Sequence, residues 1–187
     1  MKKKKIIAIL GWGSLLWEPG EDFEEWIELP WATDGPEMKI EFSRISDKRS
    51  GALTLVIDPQ GTTTAVAWCF SKRAQVEDAI ADLRCRERTT MANIGSVCLD
   101  KLPAESKSPK KEIIAWATKK KIDAVVWTAL ESNFEKKTGK PFTLAAAIAY
   151  INALDLEGKV RAAEYIWKAP DFVKTEVRFA LQKEPWF

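Results

Sequence analysis

The stretch Ile6-Ile7-Ala8-Ile9-Leu10-Gly11-Trp12-Gly13-Ser14-Leu15 joins a continuous apolar run to a glycine-bearing turn. Five apolar residues in a row, three of them isoleucine, predict a short strand buried on both faces. Gly-x-Gly after a strand invites comparison with nucleotide sites, but the details differ. A dinucleotide fingerprint needs glycine at position 16, where the chain has Leu16, and a P-loop needs a Gly-Lys-Ser/Thr ending. Ser14 as an esterase nucleophile needs glycine at position 12, which is Trp12. Two readings of the turn remain from the residues alone. The glycines let the backbone adopt φ > 0 and bring amide N–H groups to an anion, or they simply make a tight turn.

Working outward, Lys2 to Lys5 ahead of Ile6 to Trp17 has the outline of a secretory signal. The run is interrupted by Gly11, Gly13 and Ser14 and leads into Glu18, Glu21, Asp22, Glu24 and Glu25, with no small-residue cleavage site. It is therefore read as the first strand of a cytoplasmic protein. Met38 to Ile45 alternates as a half-buried strand does. Ala52 to Ile57 and Thr62 to Phe70 are rich in β-formers, and Asp58-Pro59-Gln60-Gly61 between them predicts a β-hairpin. Ser71 is the expected N-cap of a helix to about Glu87. Further on, Ile94 to Leu99 reads as a strand, Leu102 to Lys110 as a loop, Glu112 to Lys121 as a helix and Asp123 to Leu130 as a strand. Helices are expected at about Thr143 to Leu154 and, last, Lys159 to Trp167. Strands first and helices later, without regular βαβ alternation, predict an α+β fold in one domain over residues 1–187.

Composition narrows the chemistry. The 187 residues carry 29 Lys and Arg against 27 Asp and Glu, so nucleic acid is not an expected partner. No apolar stretch is long enough to span a membrane, and none is expected to bind one. Histidine is absent, which removes a Ser-His-Asp triad, a Cys-His dyad and His-ligated metal, and leaves proton transfer to carboxylates, Lys, Cys or Tyr. Cys69, Cys85 and Cys98 form no Cys-x-x-Cys pair. A reducing compartment and a small buried apolar role suit them, and neither a metal nor another cofactor is expected.

Val76, Ile80 and Leu83 mark one apolar stripe of the helix after Ser71, and the next position on that stripe is Glu87. A carboxylate facing the core needs a partner or a purpose. Arg84 lies one turn back as a possible partner, with Arg86 and Arg88 on either side. Glu87 either escapes to solvent as the helix frays or serves as a general base. A helix C-terminus and partial burial both disfavour its charged form and favour its taking a proton.

Ile9 to Pro19 resembles the glycine loop of the γ-glutamylcyclotransferase superfamily, closest to the ChaC-type pattern Phe-Gly-Tyr-Gly-Ser-Leu-x-Trp-x-Pro. Phe42 to Cys69 resembles that family's Ser-x-x-x-Arg stretch with its following hairpin. Leu83-Arg84-Cys85-Arg86-Glu87-Arg88 is similar to its Leu-x-x-Arg-Glu segment. The three matches fall in order over residues 6–88. The resemblance implies a small mixed β-barrel-like sheet flanked by helices, and a cytoplasmic transferase or lyase of glutathione-type metabolism. It would act on a small γ-glutamyl peptide or amine and release 5-oxoproline. It further implies Glu87 as catalytic base and Gly11, Trp12, Gly13, Ser14 and Leu15 as substrate-binding residues, with Arg49 as a further anion contact. Trp12 stands where the family commonly has Tyr, which keeps an aromatic wall and removes the hydroxyl. Two other functions fit the same features: a non-catalytic small-ligand binding module, and an acyl-transfer or hydrolytic enzyme acting on another amide.

The nine tryptophans divide between Trp12 and Trp17 beside the glycine turn and others, such as Trp68, Trp116 and Trp127, placed for packing. Glu21 to Glu25 and the lysine runs at 2–5 and 119–121 read as solvated surface.

Overall fold

The computed structural model describes residues 4–102 and 109–187. It is a mixed α+β structure with two sheets, and the chain divides into two compact units, each assembled from two separate segments.

The first unit takes Met1–Met38 and Ala65–Leu130. Its five strands are β1 (Ile7–Gly11), β2 (Ile27–Ala32), β6 (Ala67–Ser71), β7 (Ile94–Cys98) and β8 (Ala124–Thr128), in the order β2-β6-β1-β8-β7. The apolar run at Ile7 thus lies at the centre of the sheet, buried at every position. It pairs antiparallel with β6 and parallel with β8, Ala8 facing Phe70 on one side and Val125 on the other. Asp123 sets that parallel register at its start. Its carboxylate accepts the Ile6 N–H at 2.8 Å, while its own N–H donates to the Ile6 carbonyl at 2.9 Å. Ile7 and Ile9, two residues apart, share one face of the strand. They join a core with Ile27, Cys69, Ile94, Ala124 and Val126. Helix α2 (Val76–Glu87) closes that core with Val76, Ala79 and Leu83. A short helix, α1 (Glu21–Glu24), buries Phe23 and leaves its acidic residues in solvent, and α3 (Lys110–Lys120) buries Ile113 and Ala117.

The second unit takes Lys39–Thr64 and Glu131–Phe187. It is built on β3 (Glu37–Ile45), β4 (Leu53–Ile57) and β5 (Thr62–Ala65), with α4 (Phe134–Thr138), α5 (Leu144–Asn152), α6 (Leu156–Lys168) and α7 (Glu176–Leu181). Asn133, just ahead of α4, ties the late helices to this early sheet. Its side chain accepts from the Ile45 N–H at 2.7 Å and donates to the Ile45 carbonyl at 3.0 Å.

Several expectations change. The sheets are separate, five- and three-stranded, and do not close into one barrel. The β4–β5 hairpin does not form: the order is β4-β3-β5, so the turn at Asp58–Gly61 carries the chain across β3. A Cβ at Gly61 would lie 2.5 Å from the Ile40 carbonyl oxygen, so only glycine permits the crossing. The β-forming run from Thr62 to Phe70 is broken at Val66 into β5 and β6, which belong to different sheets. Ser71 ends β6 and accepts the Arg73 N–H at 3.2 Å, so α2 starts later, after Gln75. The helix from Leu156 is followed by α7, which is too short for a recognisable apolar period. The expected loop at 102–110 falls largely outside the described residues. Cys69 is buried, where burial pushes its thiol up, and Cys98 is half-buried. Cys85 is exposed, against expectation, because it lies off the apolar stripe of α2. Among the described residues no helix is long and apolar enough to cross a membrane.

Candidate functional site

Strand β1 delivers the chain at Gly11 into a single helical turn. Leu16 N–H donates to the Gly13 carbonyl at 3.0 Å and Glu18 N–H to the Ser14 carbonyl at 2.8 Å. The N–H groups at the front of such a turn have no partner within it, so Gly13, Ser14 and Leu15 supply the donors. Gly11 is glycine for closeness and not for a left-handed backbone. A Cβ there would meet the Leu16 side chain at 2.9 Å and the Trp31 ring at 3.2 Å. Trp12, Gly13 and Leu15 are buried and Ser14 is half-buried. With Trp12 only 5% exposed, its indole works chiefly as packing behind the turn. Trp31, an edge-strand residue that the sequence did not single out, braces the turn from β2.

Glu87 is the last residue of α2, on the stripe already occupied by Val76 and Leu83. The helix ends with paired bonds, Arg88 N–H to the Cys85 carbonyl at 3.1 Å and Thr89 N–H to the Arg84 carbonyl at 3.2 Å. Arg88 between them is left-handed, with φ 51°. That tight stop fixes where Glu87 points, in place of the fraying considered from the sequence.

Arg86 joins the two features. One guanidinium nitrogen donates to Glu87 Oε1 at 2.7 Å, and the other donates to Ser14 Oγ at 3.3 Å and to the Glu18 carbonyl at 2.6 Å. The side chains of Arg86 and Glu87 are 12% and 16% exposed, so the pair is well removed from solvent. Arg84, the possible partner one turn back, instead turns its guanidinium to Cys85 Sγ at 3.3 Å. Adjacent residues on a helix do not face each other, so spacing favoured Arg84 over Arg86. Only the approach of the glycine turn draws Arg86 across.

The turn and Glu87 therefore belong to one hydrogen-bonded cluster in the first unit. Arg49 belongs to the second unit, where its guanidinium lies 5.0 Å from the centre of the Tyr165 ring. Trp68 is a structural residue as expected, its indole N–H donating to Asp34 at 2.8 Å. Trp116 donates to the Asp34 carbonyl at 2.9 Å. Lys120 also reaches Asp34, and its ammonium, with the Trp68 indole N–H, holds the Asp34 carboxyl below its usual range. Among the described residues no group of three or more acidic or cysteine side chains could hold a metal ion.

The cluster thus offers a carboxylate set by a guanidinium, and a row of backbone donors on the neighbouring turn. Such a pair can take a proton from an ammonium group and hold an anionic oxygen beside it. No family model matches this chain, and no curated protein matches it.

Proposed function

We propose that the chain is a γ-glutamylcyclotransferase-like enzyme that converts a γ-glutamyl peptide or amine into 5-oxoproline and a free amine. The observation that carries this reading is the single Arg86 guanidinium shared by Glu87 and the Ser14 turn. It joins two of the three segments that resemble that family, although they are far apart in sequence.

The chemistry needs little beyond what the cluster offers. The substrate carries its own nucleophile, an α-amine four bonds from the γ-carbonyl carbon, so ring closure is a matter of folding the substrate and moving protons. Glu87 takes a proton from the α-ammonium. The freed nitrogen attacks the γ-carbonyl carbon, forming the new C–N bond of a five-membered ring and placing negative charge on the carbonyl oxygen. N–H groups of Gly13, Ser14 and Leu15 stabilise that charge or hold the substrate carboxylate. As the oxyanion collapses, the bond to the leaving nitrogen breaks. The protons lost by the α-nitrogen end on the leaving amine, so no cofactor or enzyme nucleophile enters the balance.

The test is direct. Purified protein is incubated with glutathione, γ-glutamyl dipeptides and γ-glutamyl amines, and 5-oxoproline is measured by mass spectrometry. The wild type is expected to form it from at least one substrate. Glu87→Gln, which keeps the shape and removes the base, is expected to lose activity by about 100-fold or more. Substrate lost without 5-oxoproline would point to hydrolysis of another amide. Binding without turnover, unchanged in Glu87→Gln, would make the protein a ligand-binding module.

A further inference from the structure

Resting on that reading, we propose that Arg86 is a positioning residue that sets the Glu87 carboxylate against the glycine turn, so that base and anion donors act as one unit. Three observations support this beyond the ion pair itself. First, the pair joins adjacent helical residues, which ordinarily diverge by about 100° around the axis. Glu87 and Arg86 nevertheless meet, at the helix end, where the Arg88 and Thr89 N–H groups bond the Cys85 and Arg84 carbonyls. Second, the Arg86 side chain is 12% exposed, well below what a surface arginine needs to stay solvated. Its burial is offset by acceptors on two segments of chain, which makes it a joint and not a surface ion pair. Third, the shorter of the two bonds to the loop, 2.6 Å to the Glu18 carbonyl, goes to backbone. Arg86 therefore fixes the path of the turn as well as a side chain on it.

A planar guanidinium suits this task and an ammonium does not. Its fork presents N–H groups in fixed directions, one nitrogen to the carboxylate and the other to the turn. Lysine keeps the charge and most of the stem but gathers its donors at one point, so it cannot hold both partners at the same separation. A displacement of the base by about 1 Å is enough to cost about 100-fold in rate.

The experiment compares wild type, Arg86→Lys, Arg86→Ala and, as a control on the same helix outside the cluster, Arg84→Ala, using the substrate the wild type turns over. Arg86→Lys is expected to stay folded by circular dichroism and to lose kcat by roughly 10- to 100-fold, with KM changed by less than about threefold. Arg84→Ala is expected to match the wild type. Millimolar guanidinium, but not ammonium, is expected to restore part of the kcat of Arg86→Ala by filling the vacated place. If Arg86→Ala does not fold, the kcat and KM of Arg86→Lys decide the matter. Arg86→Lys with kcat within threefold of wild type would overturn the positioning role, as would a loss confined to KM. No 5-oxoproline from the wild type would instead remove the proposed function on which this role rests.

Discussion

Arg88 holds a left-handed backbone at φ 51° immediately after Glu87, a conformation that costs an L-residue about 1–2 kcal/mol. Glycine removes that cost but adds freedom to the unfolded chain, so Arg88→Gly is expected to stabilise the protein by about 0.5–1 kcal/mol. Thermal denaturation reads the gain. Lys121, at φ 56°, ends α3 in the same way and is expected to respond equally, without any effect on turnover. Glu41 shows the opposite kind of cost. It is 3% exposed in β3, and burial, with Glu176 adding like charge, raises its carboxyl above the usual glutamate range. The N–H groups of Phe42 and Val177 and the Thr175 hydroxyl oppose the rise. Folded protein thus keeps a proton that the unfolded chain has already released. The stability contributed is full below the unfolded value, about 4.3, and is lost as pH rises through the higher folded one. Denaturant titrations at several pH values are expected to show this decline, and Glu41→Gln is expected to flatten it. An unchanged slope in the variant would assign the decline to another group.

At the scale of elements, what could be read from the sequence was whatever is written locally. The β1 run, the alternation of β3 and the stripe of α2 are local signals, and all three elements formed with shifts of boundary. Yet β3 is not half-buried as its alternation implies: Glu41 and Ser43 on its polar face are buried too. What could not be read was which strand lies beside which. Asp58-Pro59-Gln60-Gly61 makes a turn, as its residues require, with the Gly61 N–H on the Asp58 carbonyl at 2.8 Å. Yet its flanking strands are kept apart by β3. The discriminating residue is Gly61, chosen for contact with Ile40 and not for turn geometry. Gly61→Ala is accordingly expected to destabilise the protein by about 3 kcal/mol or more, because a backbone cannot yield as a side chain can. Chemical denaturation measures it, and a change under about 1 kcal/mol would mean that the crossing is looser than its geometry implies. The Glu87 site follows the same rule. The inward direction of the carboxylate was legible in a local period. Arg86 was not, since its partners Ser14 and Glu18 lie 72 and 68 residues away in sequence.

For the molecule as a whole, the sequence contained no linker because neither unit is a continuous segment. Each borrows an early and a late stretch of chain, so no single boundary could mark the division. The barrel-like expectation came from the resemblance, and the residues themselves specified only strands and helices. One consequence concerns synthesis on the ribosome. The middle strand of the larger sheet, β1, leaves the ribosome before the other strands of that sheet, and β6 can cover one of its edges once Ser71 has emerged. Its other edge is reserved for β8, whose pairing begins at Ala124. At about 5–20 residues per second, several seconds separate the two events. Throughout that interval an isoleucine-rich strand presents unpaired N–H and C=O groups along one side, the kind of edge that recruits neighbouring chains. This sheet is therefore most exposed to aggregation while its first-made strand waits for its last.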